Sequence, residues 1–200
     1  MAAPVPMTKL EAVNLMLDDI GSRPTTSLSA PTRRDVVRAV SAIDAVTRSV
    51  QQKGYWFNTE IISVSINGSN QYAVPTNVHH VEVLSGGPTT GANGTPFLVV
   101  RNALLYDVVN GTNTFAGGAD VKLVVQRYID FEELPNSARE YIYAAASIRN
   151  QSRALGSNSI DEDLKEQARQ ALALLNEEDL DAQNFDTTYS LHFIDMMHRR

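Results

Sequence analysis

The stretch Lys53-Gly54-Tyr55-Trp56-Phe57-Asn58-Thr59-Glu60 decides how this chain folds. Upstream of it apolar residues recur at helical spacing, whereas from Ile62 onward they recur at every second position. Gly54 ends the helical pattern, as a residue free to take positive φ commonly does at a helix C-terminus. Three aromatics then stand in a row where the period changes, and side chains of that size mostly serve burial. Gly54, Tyr55, Trp56 and Phe57 are therefore expected to form a structural junction, with Trp56 and Phe57 cementing a helical part to a β part.

Working back toward the start, Thr8-Lys9-Leu10-Glu11 has the form of a capping box, and Leu10, Val13, Leu17 and Ile20 follow at helical spacing until Gly21 and Pro24. A second helix is expected from near Thr32, with Val36, Val40, Ile43 and Val50 on one side and Arg33, Arg34 and Arg38 beside them. The two should pack antiparallel across the turn at residues 22–31.

Working forward, Ile62, Val64 and Ile66 alternate with Ser63 and Ser65, and Asn67-Gly68 is a strong hairpin signal. Residues 78–84, 97–101, 103–106 and 121–128 read as further short strands of an antiparallel meander or sandwich. Residues 85–95 carry too few apolar groups to pack and are expected to form a mobile loop. Its glycines, Gly86, Gly87, Gly91 and Gly94, do not make a phosphate cradle, because no Lys-Ser or Lys-Thr follows and no helix N-terminus receives the loop.

Helical period returns after Pro135, with Ala138, Tyr141, Ile142, Ala145 and Ile148 facing one way and Arg139, Arg149 and Arg153 another, until Gly156. Ser159-Ile160-Asp161-Glu162 caps a fourth helix through Leu164, Ala168, Ala171, Leu172 and Leu175. The expected fold is α+β: an antiparallel helical bundle built by residues 1–57 and 131–180, with a small antiparallel β domain, 58–130, inserted between the helix pairs. Residues 181–200 are expected to form an extended C-terminal docking tail. Their first part shows neither period, yet Phe185, Tyr189, Leu191, Phe193, Ile194, Met196 and Met197 follow in quick succession, too many apolar groups for a solvated end.

Two hundred residues with 43% hydrophobic content can bury one core with a smaller satellite. The lack of cysteine excludes disulfide staples, thiolate nucleophiles and cysteine-bound zinc, so the fold must rest on packing. A net charge of −6 argues against wide contact with nucleic-acid phosphates, though not against DNA sliding past. No apolar run approaches the roughly 20 residues that cross a bilayer, and Met1-Ala2-Ala3-Pro4-Val5-Pro6 lacks the form of a signal peptide; a soluble, unsecreted protein without membrane contact is expected.

Little in the chain points to chemistry. His79 and His80 are neighbours on a strand and point to opposite faces, and His192 and His198 have no carboxylates at ligand spacing, so no metal site is expected. Asp107, Asp120, Glu132 and Glu133 are the acids available for glycan hydrolysis, which is recognised by separation and environment rather than by count. Glu132 and Glu133 also suit the positive end of the helix after Pro135. No catalytic residue and no cofactor is expected. Arg33, Arg34 and Arg38 are the one notable basic cluster, divided between a solvated helix face and an intersubunit ion pair. They and Phe185, Tyr189, Phe193, Met196 and Met197 are the candidate interface residues.

In order and spacing, the helix at residues 11–17, Ile20-Gly21, the Gly54 to Asn58 segment, Leu105-Tyr106-Asp107, Phe131-Glu132-Glu133-Leu134-Pro135, Arg139, Tyr141-Ile142 and Gln151-Ser152-Arg153 resemble the tail tubular protein A family, the head-to-tail adaptors of short-tailed bacteriophages. That family usually places tryptophan directly after the glycine, where this chain has Tyr55 and then Trp56. The resemblance implies a virion protein of the head-tail junction, assembled in the host cytoplasm. It implies a homo-oligomeric ring, twelve subunits in known relatives, that binds the portal protein above and a nozzle protein of the tail tubular protein B type below. Tail fibres are a further candidate neighbour, and genome DNA passes through the centre without sequence-specific binding. The alternative is a tail protein whose β domain binds or hydrolyses host capsule polysaccharide.

Overall fold

The computed structural model describes residues 6–88, 96–155 and 162–184. It is a mixed α+β chain in which two helices, α1 (Lys9–Asp18) and α2 (Arg34–Gln51), precede five strands, and two more, α3 (Asn136–Leu155) and α4 (Glu162–Asn184), follow them. The strands are β1 (Thr59–Val64), β2 (Val78–Pro88), β3 (Leu98–Arg101), β4 (Leu104–Asp107) and β5 (Gly118–Arg127). Two compact units result: Met1–Val50 with Ile129–Arg200, and Gln51–Tyr128.

In the helical unit, the capping box forms as the sequence demands: the Thr8 hydroxyl accepts from Glu11 N while the Glu11 carboxylate answers the Thr8 amide. The apolar stripe of α1 is rotated from the expected one. Ala12, Val13, Met16 and Leu17 are buried, while Leu10 in the first turn is only half-buried, as is Ile20, which lies past the end of the helix at Asp18, where Gly21, at φ +68°, turns the chain away. On α2 the expected face is in place through Val36, Ile43 and Val50, widened by Ala39, Ala42 and Thr47, whose hydroxyl donates to the Ile43 carbonyl at 2.8 Å.

Helix α3 is buried on more of its circumference than a single apolar face supplies. Ala138, Ile142, Tyr143, Ala144 and Ala146 are buried, with Ser137, Ser147 and Asn150 beside them, whereas Tyr141, Ala145 and Ile148 are half-buried. Small side chains let neighbours approach from several directions, which the spacing of large apolar residues alone does not reveal. Helix α4 packs through Leu164, Ala171 and Leu175, and the Ser137 hydroxyl donates to the Glu178 carboxylate. It continues to Asn184, four residues beyond the point where the sequence reading ends it.

In the β unit, β5 runs antiparallel between β1 and β2, and β3 and β4 form a separate antiparallel pair. Val121, Leu123 and Val125 of β5 alternate inward as expected of a central strand, and they share one core with Tyr72, Val74, Leu105 and Phe115. Ile62, Val64 and Ile66 pack against it, as their alternation predicts.

Three local expectations are corrected. Residues 85–88, read as the start of a mobile loop, belong to β2 and pair with β5, Gly87 opposite Ala119 and Pro88 opposite Gly118. Glycine serves close approach there: at Gly86, φ +78°, an added Cβ would lie 2.0 Å from the Asp120 carbonyl oxygen. The remainder of that loop, 89–95, lies outside the described residues. Asn67-Gly68 is not a two-residue hairpin; Asn67 Oδ1 accepts from the amides of Ser69 and Gln71 at 2.9 and 3.0 Å, and Asn70 takes the positive φ. The tight hairpin is Asn102-Ala103, both at positive φ, between the paired Arg101 and Leu104, so Ala103 is a turn residue rather than the first of a strand.

Candidate interface surfaces

The glycine-aromatic segment lies in the β unit. Gly54 takes φ +73°, and the Gln126 side chain lies so close that an added Cβ would meet its amide nitrogen at 1.9 Å. The chain then makes a 3₁₀ turn, Trp56–Asn58, that sets the rings against one another: Tyr55 stacks on Phe57 at 5.5 Å and 11°, and Trp56 meets Phe57 edge-on at 5.1 Å. Tyr55 is the buried ring at 3% exposure, while Trp56 and Phe57 are half-buried. Asn58, fully buried, donates from Nδ2 to the carbonyls of Gln51 at 2.8 Å and Arg127 at 3.1 Å, which ties the turn to the end of β5. His79 Nε2 donates to the same Gln51 oxygen at 3.1 Å. Two donors converging on one carbonyl give the junction a polar anchor that aromatic content does not announce.

The arginine cluster separates into different roles. Arg33 is engaged within the turn before α2: it donates to the carbonyls of Arg23 at 2.8 Å and Pro24 at 3.2 Å and pairs with Asp35, whose carboxyl falls below the usual range, chiefly through that bond. Arg34 is exposed and Arg38 half-exposed, one turn apart, with Val37 exposed between them. Arg38 Nε is desolvated without a hydrogen-bond partner among the described residues. Arg34 and Arg38 are thus the members of the cluster open to a partner; Arg33 is not.

Arg139, which the helical spacing put on a polar face, is buried instead. It donates from Nε to the Leu134 carbonyl at 2.7 Å, from Nη1 to the Met7 carbonyl at 3.0 Å and from Nη2 to the Glu132 carbonyl. The Lys9 amide donates to the Glu132 carboxylate at 3.0 Å, and Lys9 Nζ pairs with Asp44. The guanidinium therefore fixes the start of the chain to the 3₁₀ turn Phe131–Glu133 ahead of α3.

Of the acids weighed for hydrolysis, Asp107 and Glu132 have structural work, while Asp120 and Glu133 are exposed. Asp107, 2% exposed, accepts from the amides of Val109 at 2.9 Å and Asn110 at 3.3 Å and from the Asn110 side chain at 2.5 Å. Burial pushes its carboxyl up, but these bonds together hold it below the ordinary value, the reverse of what a general acid needs. Glu132 closes the Arg139 and Lys9 arrangement just described. Among the described residues no cluster of His, Asp and Glu could hold a metal, and no helix is long and apolar enough to cross a membrane. Phe185, Tyr189, Phe193, Met196 and Met197 lie outside the described residues.

Exposed apolar side chains occur in both units: Leu15, Val37, Leu174 and Leu180 in the helical one, Ile61, Phe97, Val100, Val108 and Val109 in the β one.

The profile of the Tail tubular protein family matches residues 10–185. Tail tubular protein A of Klebsiella phage KP34 is 24% identical over 182 residues, covering 91% of this chain and 92% of that protein. Among solved structures, a chain from the virion of a native gene transfer agent particle matches at 15% identity with a TM-score of 0.32, covering 85% of this chain and 94% of that one. With the profile spanning most of its length, the chain belongs to the tail tubular protein family and is a structural protein of the phage virion tail.

Proposed function

We propose that this protein is a ring-forming tail adaptor, seated at the head-tail junction, that joins the portal to the tail nozzle and leaves a channel for the genome. Membership of the tail tubular protein family over residues 10–185 carries the reading. Its mechanism is binding in a fixed geometry: a helical bundle built from both ends of the chain supplies a rigid body, and the β domain inserted between the helix pairs supplies a second surface. The net charge of −6 suits a channel that lets DNA slide without holding it.

A closed ring needs a heterologous interface, in which two different patches of each subunit meet around the circle. Twelve subunits is the number we propose. The test is the mass of particles formed when the full chain is mixed with its portal protein, measured by light scattering or sedimentation. A discrete increment of many subunits per portal ring is expected, and one-to-one binding overturns the proposal. The free subunit is expected to remain monomeric until the portal provides a template.

A further inference from the structure

Two helix faces in the helical unit are each other's complement. On α2, Arg34, Val37 and Arg38 stand at i, i+3 and i+4, so they share one face, with Val37 42% exposed between two cations. On α4, Glu177, Leu180 and Asp181 stand at the same spacing, with Leu180 61% exposed between two exposed anions and Leu174, 44% exposed, one turn before them. Neither Arg34 nor the pair Glu177 and Asp181 has a partner among the described residues, and Arg38 Nε is desolvated and unmatched. Within the subunit α4 packs chiefly on α3.

The placement of the acids is locally unfavourable, which sharpens the inference. Carboxylates near the C-terminus of a helix oppose its negative end, where lysine or arginine is the stabilising choice. The last turn of α4 has no basic residue, while Glu177, Glu178, Asp179 and Asp181 crowd the approach to it. Glu178 is accounted for by Ser137, whereas Glu177 and Asp181 face outward. Arg34 is the mirror case, a cation at the positive N-terminal end of α2. Arg34 and Asp181 thus each carry the charge that their own helix end disfavours and that a partner helix end of the opposite kind would favour.

We infer that the Arg34-Val37-Arg38 face of α2 docks on the Glu177-Leu180-Asp181 face of α4 in a second copy of this chain, Val37 meeting Leu180 with charge pairs on both sides. The contact is heterologous, so it repeats around a circle, and it names the subunit joint on which the proposed ring depends. The apolar centre supplies burial, and the flanking charges fix register and exclude the like face, since two basic or two acidic faces repel.

Charge exchange in the full chain tests it. One variant carries Arg34→Glu and Arg38→Glu; the other carries Glu177→Lys and Asp181→Lys. Each alone has two faces of one sign and is expected to lose the many-subunit species formed with the portal protein while keeping its helical circular dichroism. An equal mixture is expected to restore it, because the subunits then alternate around an even ring. As a check independent of reversed charge, Val37→Cys chains are mixed under oxidant with Leu180→Cys chains that carry a size tag; the parent has no cysteine, so a disulfide-linked dimer of one tagged and one untagged chain joins these two faces between copies, whereas either homodimer does not. Rings that form equally well from either charge variant, or a mixture that is not rescued together with no disulfide, overturn this joint and leave the ring standing. An unsubstituted chain that stays monomeric with its portal overturns both.

Discussion

Arg139 on α3 donates from Nη1 to the main-chain oxygen of Met7 at 3.0 Å, joining residues 132 apart in the chain. With the Leu134 and Glu132 carbonyls on its other nitrogens, one planar guanidinium holds three backbone acceptors, a task that the point charge of a lysine does not match. Arg139→Ala is expected to cost about 2–3 kcal/mol of stability, in the range of hydrogen bonds to a charged group. Arg139→Lys should recover less than half of that. Urea unfolding checks both, and an alanine variant within about 0.5 kcal/mol of the parent would show the arrangement to be incidental.

The junction aromatics separate by burial. Tyr55 is 3% exposed, so Tyr55→Ala is expected to cost about 3–5 kcal/mol, as for other buried large aromatics. Trp56 is half-buried, and Trp56→Ala should cost about half as much. Since Trp56 is the one tryptophan, its emission also reports its surroundings: acrylamide should quench it partially in the native state and fully in urea. Equal losses for the two alanine variants would contradict the burial order.

Ala103 sits at φ +58° in the two-residue turn between β3 and β4, a conformation that costs a residue with a Cβ about 1–2 kcal/mol. Ala103→Gly should therefore stabilise the β unit by about 0.5–1 kcal/mol, after the greater unfolded-state freedom of glycine is subtracted. A lowered melting temperature in this variant would show that the alanine methyl packs in a way that outweighs the strain.

These three sites show where the sequence was readable. Helices α1 to α4 announce themselves through spacing, α1 through its cap as well, and β5 through Val121, Leu123 and Val125, because these periods come from burial of one face; the cap expected at Ser159 lies outside the described residues. The hairpin at Asn102-Ala103 was hidden, since alanine gives no turn signal, and Asn67-Gly68 drew attention to a wider turn. Arg139 read as surface because spacing ranks residue types by hydropathy and cannot see carbonyls converging from Met7, Glu132 and Leu134. Among the interface residues, Arg34 and Arg38 were legible as a cluster, but Arg33 belongs to a turn that only three-dimensional closure reveals. Glu177 and Asp181 carry no signal in the sequence, and the setting of Asp181 in the last turn of a helix appears only once α4 is seen to end at Asn184.

Acid should act on Asp107. Its carboxyl lies below the ordinary value in the folded chain, so the stability it contributes is fully present above the unfolded value of about 4 and is lost as pH falls through the folded one. Asp107→Asn is expected to destabilise by about 2–3 kcal/mol at neutral pH, because the amide cannot accept from Val109, Asn110 and the Asn110 side chain together. The gap between variant and parent should close on acidification. A gap that persists unchanged into strong acid would mean that packing rather than charge is lost.

The last expectation concerns the end of the chain. The helical part of α4 is anchored by Leu175 and by Glu178 on Ser137, and it continues to Asn184, so the division to test lies after Asn184 rather than at Leu180. Beyond it, Phe185, Tyr189, Phe193, Met196 and Met197 follow a helix whose Leu164, Ala171 and Leu175 are already packed. At roughly 25 cal/mol per Å² of apolar surface, burying even part of these side chains on a neighbour outweighs several weak polar contacts, less the ordering entropy. Arg199 and Arg200 add charge at the terminus. A chain ending at Asn184 is therefore expected to fold with an unchanged helical signal, to keep the α2 and α4 faces, and to fail in joining the ring to the portal. Sedimentation with the portal protein reads this directly. Complexes at full yield would remove the docking role, and a shortened chain that does not fold would assign the segment to the subunit's own core.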